Sequence, residues 1–236
     1  DPIDGTSLTA AGRRNAISMI AASDRGSMLD ASSVFYMDKI VGGPEAIGVV
    51  DIRQSVAENV RAIAKAKGKP VEEVQVGVLD RPRHARLIEE IRATGAAIRL
   101  IGDGDVAGVI HTTDPDETGI DIYAGIGGAP EGVLAAAALR CIGGQMQSRL
   151  VITRDEQVER AHRMGIEDIK KKYTLEEMAG PDVLFAATGV TDGNFLQGVR
   201  FGRHHITTHT VVMRSSTGTV RYIKAQHTDL EKFHLD

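Results

Sequence analysis

VEEVQVGVLDRPRHARLIEEIRATGAAIRLIGDGDVAGVI, residues 71–110, decides the fold class, because it switches repeatedly between strand-like and helix-like runs. Val74-Gln75-Val76-Gly77-Val78-Leu79 is β-rich, and Ala85, Ile88, Ile91 and Arg92 follow at helical spacing. The pattern predicts a strand over 71–79, a helix over 85–92, a strand over 97–101 and a short helix over 106–111 opened by two aspartates. Working outward, it predicts another strand over 119–125 and a helix over 130–141. Three capping boxes, Ser55 with Glu58, Thr153 with Glu156 and Thr174 with Glu177, announce further helix starts. Residues 183–188 read as a buried strand. Residues 206–214 and 219–226 flank the turn signal Ser215-Ser216-Thr217-Gly218, which makes a β-hairpin. Strands alternating with helices and closed by a hairpin give a layered α/β to α+β protein with mixed sheets. Gly42-Gly43-Pro44 and the charged segment 154–172 are the places for excursions, and neither reads as a linker.

The chain has 236 residues, room for one sizeable core or two modest ones. Its 28 Lys and Arg against 32 Asp and Glu give a net charge of -4, so no broad basic field exists to hold nucleic acid. Without tryptophan, and with aromatics at only 4%, it also lacks the stacking platforms of a single-strand binder. A single cysteine, Cys141, excludes an intramolecular disulfide framework and points to a reducing compartment, the cytoplasm. No run approaches the ~18 apolar residues that span a bilayer, so no membrane partner is expected. The sequence opens at Asp1 on a complete acidic turn, and an upstream segment is expected to precede it.

Candidate chemistry gathers in turns. In Asp1-Pro2-Ile3-Asp4-Gly5-Thr6 two carboxylates bracket a backbone carbonyl, a set suited either to hard cations or to an Asx turn that caps a helix. Gly127-Gly128-Ala129-Pro130-Glu131-Gly132 puts proline at a helix start and Glu131 in its first turn, where a carboxylate caps the helix or binds metal. Read instead as a dinucleotide fingerprint, this stretch lacks the third glycine and the acidic partner. Asp103-Gly104-Asp105 follows a strand and opens a helix, a place for sugar hydroxyls, for metal, or for Asp105 as a plain N-cap. Arg81 and Arg83, in Arg81-Pro82-Arg83-His84, form either a forked phosphate clamp or a solvated turn. Tyr36 is open between core, sugar contact and surface. His204, His205 and His209 show no zinc-site pattern, and Cys141 reads as a small buried hydrophobe.

Taken in order, these motifs resemble, along nearly the whole chain, the class II fructose-1,6-bisphosphatases of the lithium-sensitive, inositol-monophosphatase-like phosphatase superfamily. The Asp1–Thr6 turn matches the superfamily metal motif. Tyr36 with Met37 and Lys39, the Arg81 turn, Asp103-Gly104-Asp105-Val106-Ala107, the stretch from Gly125 to Gly132 and Ala187-Thr188-Gly189-Val190-Thr191-Asp192-Gly193 are similar to the class II signatures. The resemblance implies a layered αβαβα sugar-phosphatase fold, with residues 1–70 in a first layer and 71–236 in a second. It implies that Asp1, Asp4 and Glu131 ligate Mn²⁺ or Mg²⁺, that Thr6 orients the attacking water beside Asp1, and that Tyr36, Arg81, Arg83, Asp103 and Asp105 bind the sugar phosphate. The expected activity is hydrolysis of the 1-phosphate of fructose 1,6-bisphosphate, in gluconeogenesis, by a homodimer or homotetramer. Sedoheptulose 1,7-bisphosphate as a second substrate, an inositol-phosphate or nucleotide phosphatase, and a non-catalytic sugar-phosphate-binding fragment are the alternatives. The family's further acidic metal ligands, in an upstream segment, have no counterpart in residues 1–236.

Overall fold

A computed structural model describes residues 1–30 and 36–233. Its strands are β1 (Ile17–Ser23), β2 (Tyr36–Gly42), β3 (Gln75–Leu79), β4 (Ala97–Ile101), β5 (Ile122–Gly128), β6 (Gln145–Val151), β7 (Tyr173–Thr174), β8 (Val183–Gly189), β9 (Arg200–Phe201), β10 (Ile206–Arg214) and β11 (Thr219–His227). They form two sheets. A mixed six-stranded sheet runs β4-β3-β5-β2-β6-β7, parallel among β3, β4 and β5 and antiparallel beyond. An antiparallel five-stranded sheet runs β1-β8-β10-β11, with β9 paired to β10. The alternating strand and helix pattern of 71–110 is therefore a parallel unit, and the expected terminal hairpin is β10–β11.

Eight helices accompany them: α1 (Thr6–Ala10), α2 (Val56–Lys67), α3 (Ala85–Arg92), α4 (Asp105–Ile110), α5 (Pro115–Thr118), α6 (Ala129–Ile142), α7 (Asp155–Arg163) and α8 (Leu175–Met178). Helices α4 and α6 share one core with both sheets, joining Val106, Val109 and Leu139 to Met19, Phe185, Met37 and Met146. A helix between two sheets cannot be amphipathic, and α6 is not: Ala135, Ala136, Ala137 and Ala138 are all buried. Its small side chains let both sheets approach. On the other face of the six-stranded sheet, Val56, Val60 and Ile63 of α2 and Ile88 and Ile91 of α3 pack on Val76, Val78 and Ile122. Burying a side chain such as Ile63 contributes about 1.5–3 kcal/mol. The layered α/β architecture expected from the sequence is thus present: sheet, helices, sheet, helices.

Local chemistry sets the helix ends. Ser55 accepts from the Glu58 N–H while Glu58 accepts from Ser55, and Gly68 closes α2 at φ +63°. Thr174 and Glu177 form the same box at α8. At α7 the expected Thr153–Glu156 box is shifted: Gln157 accepts from the Thr153 and Arg154 N–H groups, so the helix opens one residue later. The strand expected over 119–125 likewise starts at Ile122, because Gly119, at φ +76°, is spent ending α5. Strands β1, β2 and β6 were not anticipated. The sheets do not follow chain order, since β1 joins the late strands β8–β11 whereas β2 joins the other sheet. Each sheet therefore draws on both sides of residue 70. None of the described helices is long and apolar enough to cross a membrane.

Candidate active site

Strands β3, β4 and β5 are parallel neighbours, so the segments leaving their carboxyl ends emerge side by side. From β3 comes the turn Arg81–His84, from β4 Gly102-Asp103-Gly104 and α4, and from β5 Gly127, Gly128 and α6 with Glu131. The Asp1–Thr6 turn is fastened to the same place. Asp4 exchanges backbone hydrogen bonds with Ile17 at the head of β1, and its Oδ2 accepts from the Val106 N–H in α4, 3.3 Å away. Gly5 supplies the left-handed turn at φ +88°, where an added Cβ would lie 2.9 Å from Leu8.

Asp4 is buried, and its pKa is pushed up to about 7, first by burial and then by Asp105, Glu131 and Asp103, against the Val106 N–H. Asp105, also buried, is paired with Lys39 of β2, whose side chain is fully enclosed and whose Nζ also donates to the Gly128 carbonyl. The glycines of the β5–α6 turn make room for these carboxylates. A Cβ on Gly127 would fall 2.2 Å from Asp105 Oδ2, and one on Gly128 would fall 1.9 Å from Glu131 Oε2. That oxygen of Glu131 is buried without a hydrogen-bond partner. An orphaned carboxylate oxygen facing a second carboxyl held near neutrality suits a hard cation, whose charge would satisfy both. Among the described residues no three His, Cys, Asp or Glu side chains converge into a complete cage, so Asp4 and Glu131 could supply only part of a coordination shell. Asp1 opens the same turn as Asp4. Its Oδ1 accepts from the Ile3 N–H at 2.9 Å, and its backbone pairs with Met19.

The expected substrate residues line the same edge. Arg81 donates to the Gly102 carbonyl and, at 3.1 Å, to Asp103 Oδ1, while Asp103 Oδ2 accepts from the Ser7 N–H and hydroxyl. Arg83 turns Nε and Nη2 onto the Ile126 carbonyl at 3.0 and 2.7 Å. Its guanidinium carbon lies 5.2 Å from the centroid of the exposed Tyr36 ring, a cation–π contact, and Tyr36 pairs in register with Gly128. Thr6 is exposed on the first turn of α1. Asp4, Asp103, Asp105 and Glu131 are thus brought together, with Arg81, Arg83 and Tyr36 on the flank. Lys39, Ser7 and His84 belong to the same constellation; the sequence motifs contain Lys39 and His84 without giving either a role, and Ser7 lies just outside the Asp1–Thr6 turn. A cavity of about 730 Å³ lies elsewhere, at the carboxyl ends of α4 and α6 beside Asp114, Glu117 and Tyr222.

Residues 1–227 match the model of the bacterial, glpX-encoded fructose-1,6-bisphosphatases. This chain belongs to the class II fructose-1,6-bisphosphatase family. Proteins of Synechocystis sp. and Crocosphaera subtropica named D-fructose 1,6-bisphosphatase class 2/sedoheptulose 1,7-bisphosphatase are each 40% identical to it over 240 residues. Those alignments cover 96% of this chain and 69% of each relative. Class II bisphosphatases are metal-dependent phosphatases acting on sugar bisphosphates, chemistry to which a carboxylate cluster flanked by arginines is matched. In this class II member the glycine-rich turn is therefore a carboxylate cradle and not a nucleotide loop.

Proposed function

We propose that this chain hydrolyses the 1-phosphate of fructose 1,6-bisphosphate, giving fructose 6-phosphate and inorganic phosphate, with Mg²⁺ or Mn²⁺ as the metal. The observation that carries this reading is the meeting of a cation-seeking carboxylate pair, Asp4 and Glu131, with the guanidinium pair Arg81 and Arg83 at the ends of three parallel strands. Asp4 and Glu131 would hold the metal, and Asp1, whose Oδ2 has no protein partner among the described residues, would have to turn toward them to add a third ligand. Bound there, the metal would neutralise the scissile phosphate and lower the pKa of a water.

The chain's own groups do the positioning. Thr6, exposed in the first turn of α1 two residues after Asp4, would orient the attacking water. Arg83 keeps Nη1 for the phosphate that is not cleaved, because Nε and Nη2 are engaged by Ile126, and Arg81 closes the same clamp. Asp103, partly exposed, takes a sugar hydroxyl; Asp105 reaches the sugar only by exchanging Lys39 for it. Tyr36 covers the clamp. Holding the distal phosphate and sugar fixes the reacting phosphorus in line with the water, so remote binding energy lowers the barrier.

The enzyme would serve gluconeogenesis in the cytoplasm as a homodimer or homotetramer. A second reading, that it also cleaves sedoheptulose 1,7-bisphosphate, is favoured by the dual name of the cyanobacterial relatives. Phosphate release measured with both bisphosphates, an inositol phosphate and a nucleotide, each with Mg²⁺ or Mn²⁺, tests both readings. Calorimetric binding of fructose 1,6-bisphosphate without any phosphate release would leave only a binding fragment.

A further inference from the structure

His84 is buried between the two arms of the site. Its Nδ1 lies 2.7 Å from the Leu79 carbonyl, and its Nε2 accepts the Ile126 N–H at 2.8 Å. An N–H can be accepted only by a bare nitrogen, so the proton sits on Nδ1 and is donated to Leu79. Burial, opposed by the Leu79 hydrogen bond and by Asp38 and aided by the charge of Arg83, holds the ring's pKa below its ordinary value. The strand is shaped to receive it. Gly125 has φ +139°, and a Cβ there would lie 3.0 Å from His84 Nε2, so only glycine lets the ring close on β5.

Residue 126 is thereby gripped at both polar groups by consecutive residues, its N–H by His84 and its carbonyl by Arg83. Two residues later the chain reaches Gly128, and then Glu131 in the first turn of α6. The geometry points to His84 as a positioning residue that locks the phosphate clamp after β3 to the glycine-rich turn after β5, fixing Arg83 relative to Glu131. This rests on the reading of Arg83 as a ligand of the uncleaved phosphate. Without the lock, Ile126 is released, the Arg83 fork loses its anchor, and the distance between the two ends of a bound bisphosphate is no longer set.

Two replacements separate the halves of the lock. In His84→Asn the amide nitrogen takes the place of Nδ1 and the Ile126 N–H is left without its acceptor; in His84→Gln the longer side chain places an amide oxygen near Nε2. The assay combines steady-state kinetics on fructose 1,6-bisphosphate with hydrogen exchange at the Ile126 amide. His84→Asn is expected to raise KM about tenfold with kcat changed less than about threefold, and to speed Ile126 exchange, whereas His84→Gln stays within about threefold of the wild type. The inference is overturned if Asn speeds exchange and leaves KM unchanged, or if both variants lose kcat and melting temperature alike. A wild type that binds no fructose 1,6-bisphosphate would sink the functional reading instead, and Ile126 exchange would still report on the lock.

Discussion

Replacing Lys39 by methionine isolates the buried ion pair under the site. The Lys39 side chain is 0% exposed and that of Asp105 6%, so the variant leaves a carboxylate in a dry interior facing only the Gly128 carbonyl side of the turn and the other acids. Breaking a buried pair by removing one partner costs about 3–5 kcal/mol. At about 2–4 °C per kcal/mol for a chain of this size, the melting temperature should fall by about 6–20 °C. Lys39→Met with Asp105→Asn removes the orphaned charge and should restore most of the loss. Thermal and urea denaturation of both variants, without metal, measures this. A single variant losing less than about 1 kcal/mol, or a double variant no better than the single, would refute the argument.

Glu131→Gln keeps size and helix start but removes the charge, so activity should fall by two orders of magnitude or more with melting temperature nearly unchanged; an active variant with unaltered metal dependence removes Glu131 from the site. Arg83→Ala should raise KM for the bisphosphate by about 10-fold or more and lower kcat less, and an unchanged KM would count against the clamp. His111, whose Nε2 is buried without a partner, has its pKa pushed down to about 4, by burial first and then by Arg99. A depressed histidine contributes stability above its ordinary value of 6.5 that is lost as pH falls toward 4. Between about pH 7.5 and about pH 4.5 the wild type should therefore lose up to about 3 kcal/mol more than His111→Gln in urea denaturation. Asp4 titrates in the opposite sense in both proteins and cancels, so a constant gap would dismiss the histidine.

The parallel unit was legible because β3 is a short valine-rich run, β4 a short aliphatic one, and the helix between them carries apolar residues on one face, as at Val76 and Val78 against Ile88 and Ile91. Strand β2 escaped because Asp38 and Lys39 interrupt its apolar run, and a lysine in a strand reads as solvent-facing until Asp105 is found across 66 positions of sequence. Strand β6 escaped for a related reason: Gln145 and Gln147 look like surface residues but hydrogen-bond the Val50 carbonyl, and Ser148 is fully buried. At the site, turn position marked Asp4, Asp103, Glu131 and the arginines only as candidates, open to a plain capping or solvated reading, and the family resemblance supplied their roles. The partners that hold them, Ser7 on Asp103, Lys39 on Asp105 and His84 on Ile126, depend on long-range contacts with no local pattern.

The placement of β1 has a consequence for how the molecule is made. Among the described strands it pairs with β8 alone, the head of its other edge meeting the Asp1–Asp4 turn, and Ile20 faces Ala186. At about 5–20 residues per second on a ribosome, roughly 10–30 s separate the synthesis of those two residues. Meanwhile β3, α3, β4 and β5 arise within one stretch of chain and can assemble as soon as they emerge. The nascent protein therefore carries a finished half and an unfinished one, with the hydrogen-bonding edge of β1 and the alanine-lined back of α6 open to water. Until β8 arrives, that exposed edge and helix face are where a holding chaperone would bind the growing chain and where two ribosome-bound copies would stick to each other.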